Sequence, residues 1–283
     1  MAKGKPQACR GRWALPFVPL LVVVAGGCGA SSSHEGRIAP LAVTYSKIPP
    51  LEVPYYETSG VVPQVSRPGM NLSAVNSALR DLVLADQRQY ARAALKMDSR
   101  TPVSFVKRNR GTYDVFAPGP NPSNSRLEPH LISASTIVVS ALIPTLELFP
   151  GGNDGQGFLS LTVRVPSGSP VAIGDLFEQH SHGLRVLAEA FRKRVVATNS
   201  CVARDLRSPV AGDLDSRGFA PTASNYRHFA LTSRGVAVGF PLGQIAAPVC
   251  NSVEATVPYS VLRPYLSELG KELIAGVRAP RSS

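Results

Sequence analysis

The chain is poor in the residues and spacings that announce chemistry. Its 283 residues include four cysteines, three methionines and one tryptophan, and only 17% carry charge, against roughly 25% in an average globular protein. No Gly-x-Ser-x-Gly occurs, which excludes the elbow that projects the serine nucleophile of an α/β-hydrolase. No Cys-x-x-Cys occurs, which excludes the close thiol pair of redox and zinc-ribbon sites. The glycines from Gly151 to Gly157 lack the closing Gly-Lys-Ser/Thr of a phosphate loop and read as a hairpin turn. His180-x-His182 has neither the Glu nor the third ligand of a metalloprotease, so it reads as a polar helix entrance. Asp213-x-Asp215-x-Arg217-Gly218 puts a cation where a calcium loop needs oxygen, and Ser224 where its bidentate Glu should stand. His228 with Ser224, Ser233, Asp213 or Asp215 is the one set from which a hydrolytic triad can be drawn, since triad partners need not be sequence neighbours. The plainer reading of His228 is a partly buried histidine beside a strand. The sequence assigns no catalytic residue, cofactor or metal.

Long apolar runs are equally scarce. The one that matters, Leu20 to Gly27, ends at Cys28 and follows Lys3, Lys5, Arg10 and Arg12. A basic start, a short apolar stretch and small residues before a cysteine describe a bacterial lipoprotein signal, residues 1–27, with Cys28 as the acylated residue. Ala25 stands where a leucine is usual, and an ordinary secretory signal cleaved nearby is the alternative. No other run reaches the ~18–20 residues that span a bilayer. The chain is thus expected to sit on the extracytoplasmic face of the cell membrane, held by lipid. Acidic residues are few as well. Removing residues 1–27 leaves 26 basic against 19 acidic residues, a net +7. The tight basic groups, Lys107–Arg110 and Arg192–Arg194, lack interleaved aromatics, so no nucleic-acid partner is expected. The plainer reading is solvated basic faces, and attraction to anionic head groups or acidic wall polymers is the sharper alternative.

Cys9 leaves with the signal and Cys28 is taken by acylation. Cys201 and Cys250 then remain in an oxidising compartment, where they should pair as a disulfide. A redox or metal pair is the alternative reading, disfavoured by the spacing.

Residues 28–47 are expected to form the acylated cysteine and a tether. Prolines 40, 49, 50, 54, 63 and 68 exclude helix and favour short edge strands. From Asn71, apolar residues at helical spacing predict a helix over 72–96, capped by Asn71. Strands are expected at Val103–Val106, Gly111–Phe116, Leu131–Leu142, Leu146–Leu148 and Phe158–Val165. A second helix fits His182–Ala197, a polar loop Cys201–Ser224, and strands Phe229–Thr232, Val236–Phe240 and Val253–Val257. A closing helix should start near Ser260, because Pro264 is tolerated only in a first turn. The order predicts an α+β fold with mainly antiparallel sheet, about three helices and two closely packed subdomains, 48–170 and 171–275, with a tail at 276–283.

Three segments carry a resemblance: Phe229-Ala-Leu-Thr-Ser-Arg-Gly235-Val-Ala-Val-Gly-Phe240, Gln244–Pro248, and Val253-Glu-Ala-Thr-Val-Pro258-Tyr259-Ser-Val-Leu262. With Gly174-Asp175-Leu176-Phe177 upstream, they resemble the RsiV-like extracellular domain family, and the helix near Val75–Asn76 resembles its companion domain. The family includes ectodomains of RsiV-type anti-sigma factors, accessory regions of PdaC-type deacetylases, and mycobacterial secreted immunogenic antigens for which esterase activity has been proposed. Gly151-Gly152-Asn153-Asp154 departs from the family's Gly-Gly-x-His, so no role of that histidine is carried over. The resemblance implies a non-catalytic ectodomain binding an envelope polymer or a protein ligand. A weak acyl-ester hydrolase and a structural envelope lipoprotein are the rivals. Lysozyme sensing would set a cationic ligand against a basic body.

Overall fold

Periodicity decides where the long helices lie. A computed structural model describes residues 41–51, 53–98, 100–115, 131–150, 155–208 and 217–277. Helix α1 (Ser73–Asp98) buries Val75, Leu79, Val83, Tyr90 and Ala94 along one stripe, and the Asn71 side chain accepts the Ser73 N–H at 3.0 Å. Helix α3 (His180–Thr198) does the same with Leu184, Leu187, Ala188, Phe191 and Val195. Strands β1 (Ala42–Lys47) and β2 (Tyr56–Ser66) precede α1 in the chain, and β3 (Gly111–Val115), β4 (Leu131–Ala134), β5 (Val138–Leu148) and β6 (Gly155–Arg164) lie between α1 and α3. These six form one sheet, ordered β1-β2-β3-β5-β4, with β6 on the other side of β5. All its pairs are antiparallel except β2–β3, which is parallel. A parallel pair needs a crossover, supplied here by α1 and the short α2 (Val103–Arg108).

The second sheet is three-stranded and antiparallel: β7 (Phe229–Leu231), β8 (Gly235–Phe240) and β9 (Val253–Pro258). Side chains alternate across strands, and the two faces of β5 and β8 show how the layers stack. Val139, Ala141 and Ile143 join the α1 cluster, whereas Leu142 meets Phe158, Ala230 and Ala237 between the sheets. On β8, Val236, Val238 and Phe240 turn to the α3 cluster. The order is therefore α1, six-stranded sheet, three-stranded sheet, α3. Gly239 permits the close approach of the sheets, because a Cβ there would lie 2.6 Å from the Phe158 ring. Ser140 pins the same interface: its Oγ accepts the Leu231 N–H at 2.8 Å and lies 2.6 Å from Thr162 Oγ1.

Several expectations need correction. Ala42–Lys47 belong to β1, so a tether reaching residue 47 is too long. Val103–Val106 is helical, not a strand, with Pro102 at its N-cap. The expected strand 131–142 turns back at Ser135, and its second part continues through Pro144 to Leu148. The expected loop after Cys201 begins as helix α4 (Ser200–Asp205), capped by the Asn199 side chain on Val202 N–H at 3.1 Å. The closing helix is split: α5 (Tyr259–Leu262) stops at the Pro264 turn, and α6 (Glu268–Gly276) restarts with Ser267 as its cap.

Candidate functional site

The most unusual chemistry lies under α1. Asp86 falls three residues after Val83 and four before Tyr90, which places a carboxylate on the apolar stripe of the helix. Below it runs a row fixed by strand register, Thr58 on β2, Tyr113 on β3, Glu147 on β5 and Gly155 on β6. The Tyr113 hydroxyl donates to Asp86 Oδ2 at 2.7 Å. Tyr90 donates to the Leu148 carbonyl at 2.6 Å, and Gln87 Nε2 to the Pro49 carbonyl at 2.7 Å. The Tyr90 ring packs on Phe149, Tyr113 and Tyr56, with centroids 4.9, 5.3 and 5.9 Å away. Gly155 leaves room beside Glu147: a Cβ there would sit 3.2 Å from Glu147 Cβ.

Burial and like charge govern the electrostatics of this seam. Asp86 and Glu147 are half-buried, and among the described residues neither has a cationic partner. The ion pairs described, Arg110–Glu57 at 2.7 Å and Lys271–Glu268 at 2.6 Å, are exposed. Burial pushes both carboxyls above the ordinary range; the Asp86 charge adds to the effect on Glu147, and the Tyr113 hydrogen bond partly offsets it on Asp86. Burial first, and then the neighbouring Asp86, keep the Tyr113 hydroxyl protonated. The arrangement can store a proton and holds no activated nucleophile.

The residues singled out from sequence are distributed elsewhere. His228 is half-buried just before β7, its own carbonyl accepting the Gly239 N–H at 2.8 Å. Burial, and then Arg227 beside it, lower its pKa to about 4, so the ring is neutral at pH 7. Ser224 is exposed, its hydroxyl 3.0 Å from that of Thr222, and Ser233 is exposed at the opposite end of β7. Among the described residues no hydrogen bond joins the His228 ring to either serine; Asp213 and Asp215 lie outside the described residues, as do Cys28 and Gly151–Asp154. His180 and His182 occupy the first turn of α3, where the His182 ring packs 5.0 Å from that of Tyr265. Among the described residues no group of three or more His, Cys, Asp or Glu side chains is placed to hold a metal.

Cys201 and Cys250 are joined as a disulfide, with Cα atoms 5.5 Å apart. It fastens α4 to the turn before β9, where Asp205 Oδ2 also accepts the Ala247 N–H at 2.8 Å. The segments that carry the family resemblance have structural work. Asp175 caps its own turn through the Ala172 N–H at 2.9 Å, and its carbonyl accepts the Ser267 hydroxyl at 2.7 Å. Tyr259 donates to the Thr232 carbonyl at 2.7 Å, closing β9 over the β7–β8 turn.

Asp86, Tyr113 and Glu147 escaped the reading of the sequence. The signal available was phase: an acid on the apolar stripe of α1, and another on the β5 face that carries Val139, Ala141 and Ile143.

No protein-family model matches the chain, and no curated protein matches it significantly. Among solved structures, a member of the DUF3298 family from Bacteroides fragilis NCTC 9343 superposes with a TM-score of 0.51 at 12% identity, over 83% of this chain and 96% of that one. A DUF3298 family protein from Pseudomonas aeruginosa PAO1 aligns with a TM-score of 0.40 at 14% identity, over 82% of this chain and 96% of that one. The first shows that the α+β fold described above is one found in a DUF3298 protein.

Proposed function

We propose that the chain is an exported lipoprotein, acylated at Cys28 and held on the extracytoplasmic face of the cell membrane, whose body binds an envelope polymer or a protein ligand without turning it over. The observation that carries this reading is the Cys201–Cys250 disulfide, since such a bond persists in oxidising compartments and the N-terminal residues read as a lipoprotein signal. The resemblance to the RsiV-like extracellular family supports the same placement. No helix among the described residues is long and apolar enough to cross a membrane.

Two measurements test it. Cells given an alkyne-labelled fatty acid should label the wild-type chain and not Cys28→Ala; label retained on the variant removes the anchor. The full chain should bind purified cell-wall sacculi saturably. Absence of binding, together with fluorophosphonate labelling of a serine and ester turnover abolished by His228→Ala, would replace the binding reading with an esterase.

A further inference from the structure

We infer that the α1 seam is a proton-operated latch: Glu147, beside the Asp86–Tyr113 pair, takes a proton from solvent in mild acid and holds α1 on its sheet more firmly than at neutral pH.

The geometry identifies which group takes the proton. Asp86 accepts the Tyr113 hydroxyl at 2.7 Å, and a carboxylate that receives a donor is favoured in its charged form. Glu147, directly across the strand pair from Tyr113, receives no such donor among the described residues. Two half-buried carboxylates then face one another's field, and protonating Glu147 reduces the charge of the seam from two negatives to one.

The surrounding groups leave this balance uncorrected. Helix α1 turns Asp86, Gln87 and Tyr90 to the sheet, with Gln87 and Tyr90 committed to the carbonyls of Pro49 and Leu148. Strand β3 contributes Tyr113, while Asp114 alternates to the other face and adds only to the Tyr113 effect. From β2 come Tyr56 and Thr58, the latter accepting the Leu51 N–H at 3.1 Å. Glu57 alternates away and pairs with Arg110. Strand β6 contributes Gly155, which has no side chain. Arg88 on α1 is exposed and donates to its own helix at the Leu84 carbonyl, 2.9 Å. Among the described residues, no ammonium, guanidinium or imidazole on these elements contributes to the electrostatics of the two acids.

The direction of the response follows from linkage. Burial and the Asp86 charge raise the folded-state pKa of Glu147, so the folded chain binds more protons than the unfolded chain above the ordinary glutamate range. Stability in this region therefore falls as pH rises through that window, and is regained on acidification. Each unit of separation between folded and unfolded midpoints corresponds to about tenfold in the local opening equilibrium.

Amide hydrogen exchange of the full chain, corrected for intrinsic rates, should show residues 83–90 of α1 several-fold better protected at pH 5.5 than at pH 7.5. Glu147→Gln should be as well protected at pH 7.5 as the wild type is in acid, with no further gain on acidification, while α3 serves as the internal control. A variant that keeps the wild-type pH dependence, or an α3 that follows α1, overturns the latch. Should Glu147→Gln fail to fold, carboxyl ¹³C titration of the wild type decides: a Glu147 midpoint in the ordinary glutamate range overturns the proposal, and an elevated one supports it.

Discussion

Helices α1 and α3 each lie across a sheet, and the two are secured by different physics. Under α3 the contact is apolar: Phe191 meets Phe240 at 4.7 Å between centroids, Tyr226 packs on Phe240 at 5.2 Å, and Val236, Val238, Val253 and Val257 complete the surface. A disulfide ties down the segment that follows. Under α1 the aliphatic stripe is interrupted by Asp86, Gln87 and Tyr90, and the helix is held by directed hydrogen bonds to Tyr113, Pro49 and Leu148. Asn76 adds a two-pronged clasp, accepting the Val65 N–H at 2.8 Å and donating to its carbonyl at 2.9 Å. Apolar packing is nearly indifferent to pH and salt, whereas a buried polar network is conditional on every member's protonation. The α1 half is therefore the adjustable one.

The apolar half is most vulnerable at Phe191. Phe191→Ala should lower stability by about 3–5 kcal/mol, read as a shift in the denaturation midpoint; a loss below ~1 kcal/mol would remove Phe191 from the centre of that half. Cys250→Ala should cost about 4 kcal/mol on the loop-entropy scale, and reductant should leave the variant unchanged while weakening the wild type. An equal response to reductant in both would show that the disulfide does not stabilise the fold. Ser140→Ala strips a partner from the Leu231 N–H and from Thr162, and should cost about 1–3 kcal/mol. A neutral result there would mean that the sheets are joined by their apolar contact alone.

The smallest effect is a change of slope. His228 has a folded-state pKa of about 4 against 6.5 in an unperturbed chain, so the unfolded form binds the extra proton between these values. Its contribution to stability is present above pH 6.5 and is lost as pH falls through about 4, opposite in sign to that of Glu147. Replacing His228 by Gln should remove the loss of stability on acidification between pH 6.5 and about 4, and replacing Glu147 by Gln should remove a slope of the opposite sign that opens above the ordinary glutamate range. Two variants with the same change of slope would dissolve the contrast between the halves.

Helical period placed both long helices to within two residues at each end, because their apolar residues recur over many turns in spite of the polar groups that interrupt α1. Val103–Val106 misled because three of its four residues favour strands by type, while its place after Pro102, in the crossover between the parallel strands β2 and β3, required a compact turn of helix. That parallel pairing itself has no local signature, since it depends on residues more than fifty positions apart. The candidate site was illegible for a related reason. Asp86, Tyr113 and Glu147 are ordinary residues in their own segments, and only register and helix docking make them neighbours. The disulfide was the opposite case, since the expected signal and acylated Cys28 leave Cys201 and Cys250 for one another, and the structure joins them.

Strand β5 serves two masters, presenting Val139, Ala141 and Ile143 to one cluster and Leu142 to the contact between the sheets, with Ser140 bonded across to Leu231. A cut in the chain between Val165 and Val171 would leave either fragment with a raw apolar surface where the other had been. The two halves should consequently melt in a single transition, and neither should be recoverable as a portable module for grafting onto another protein.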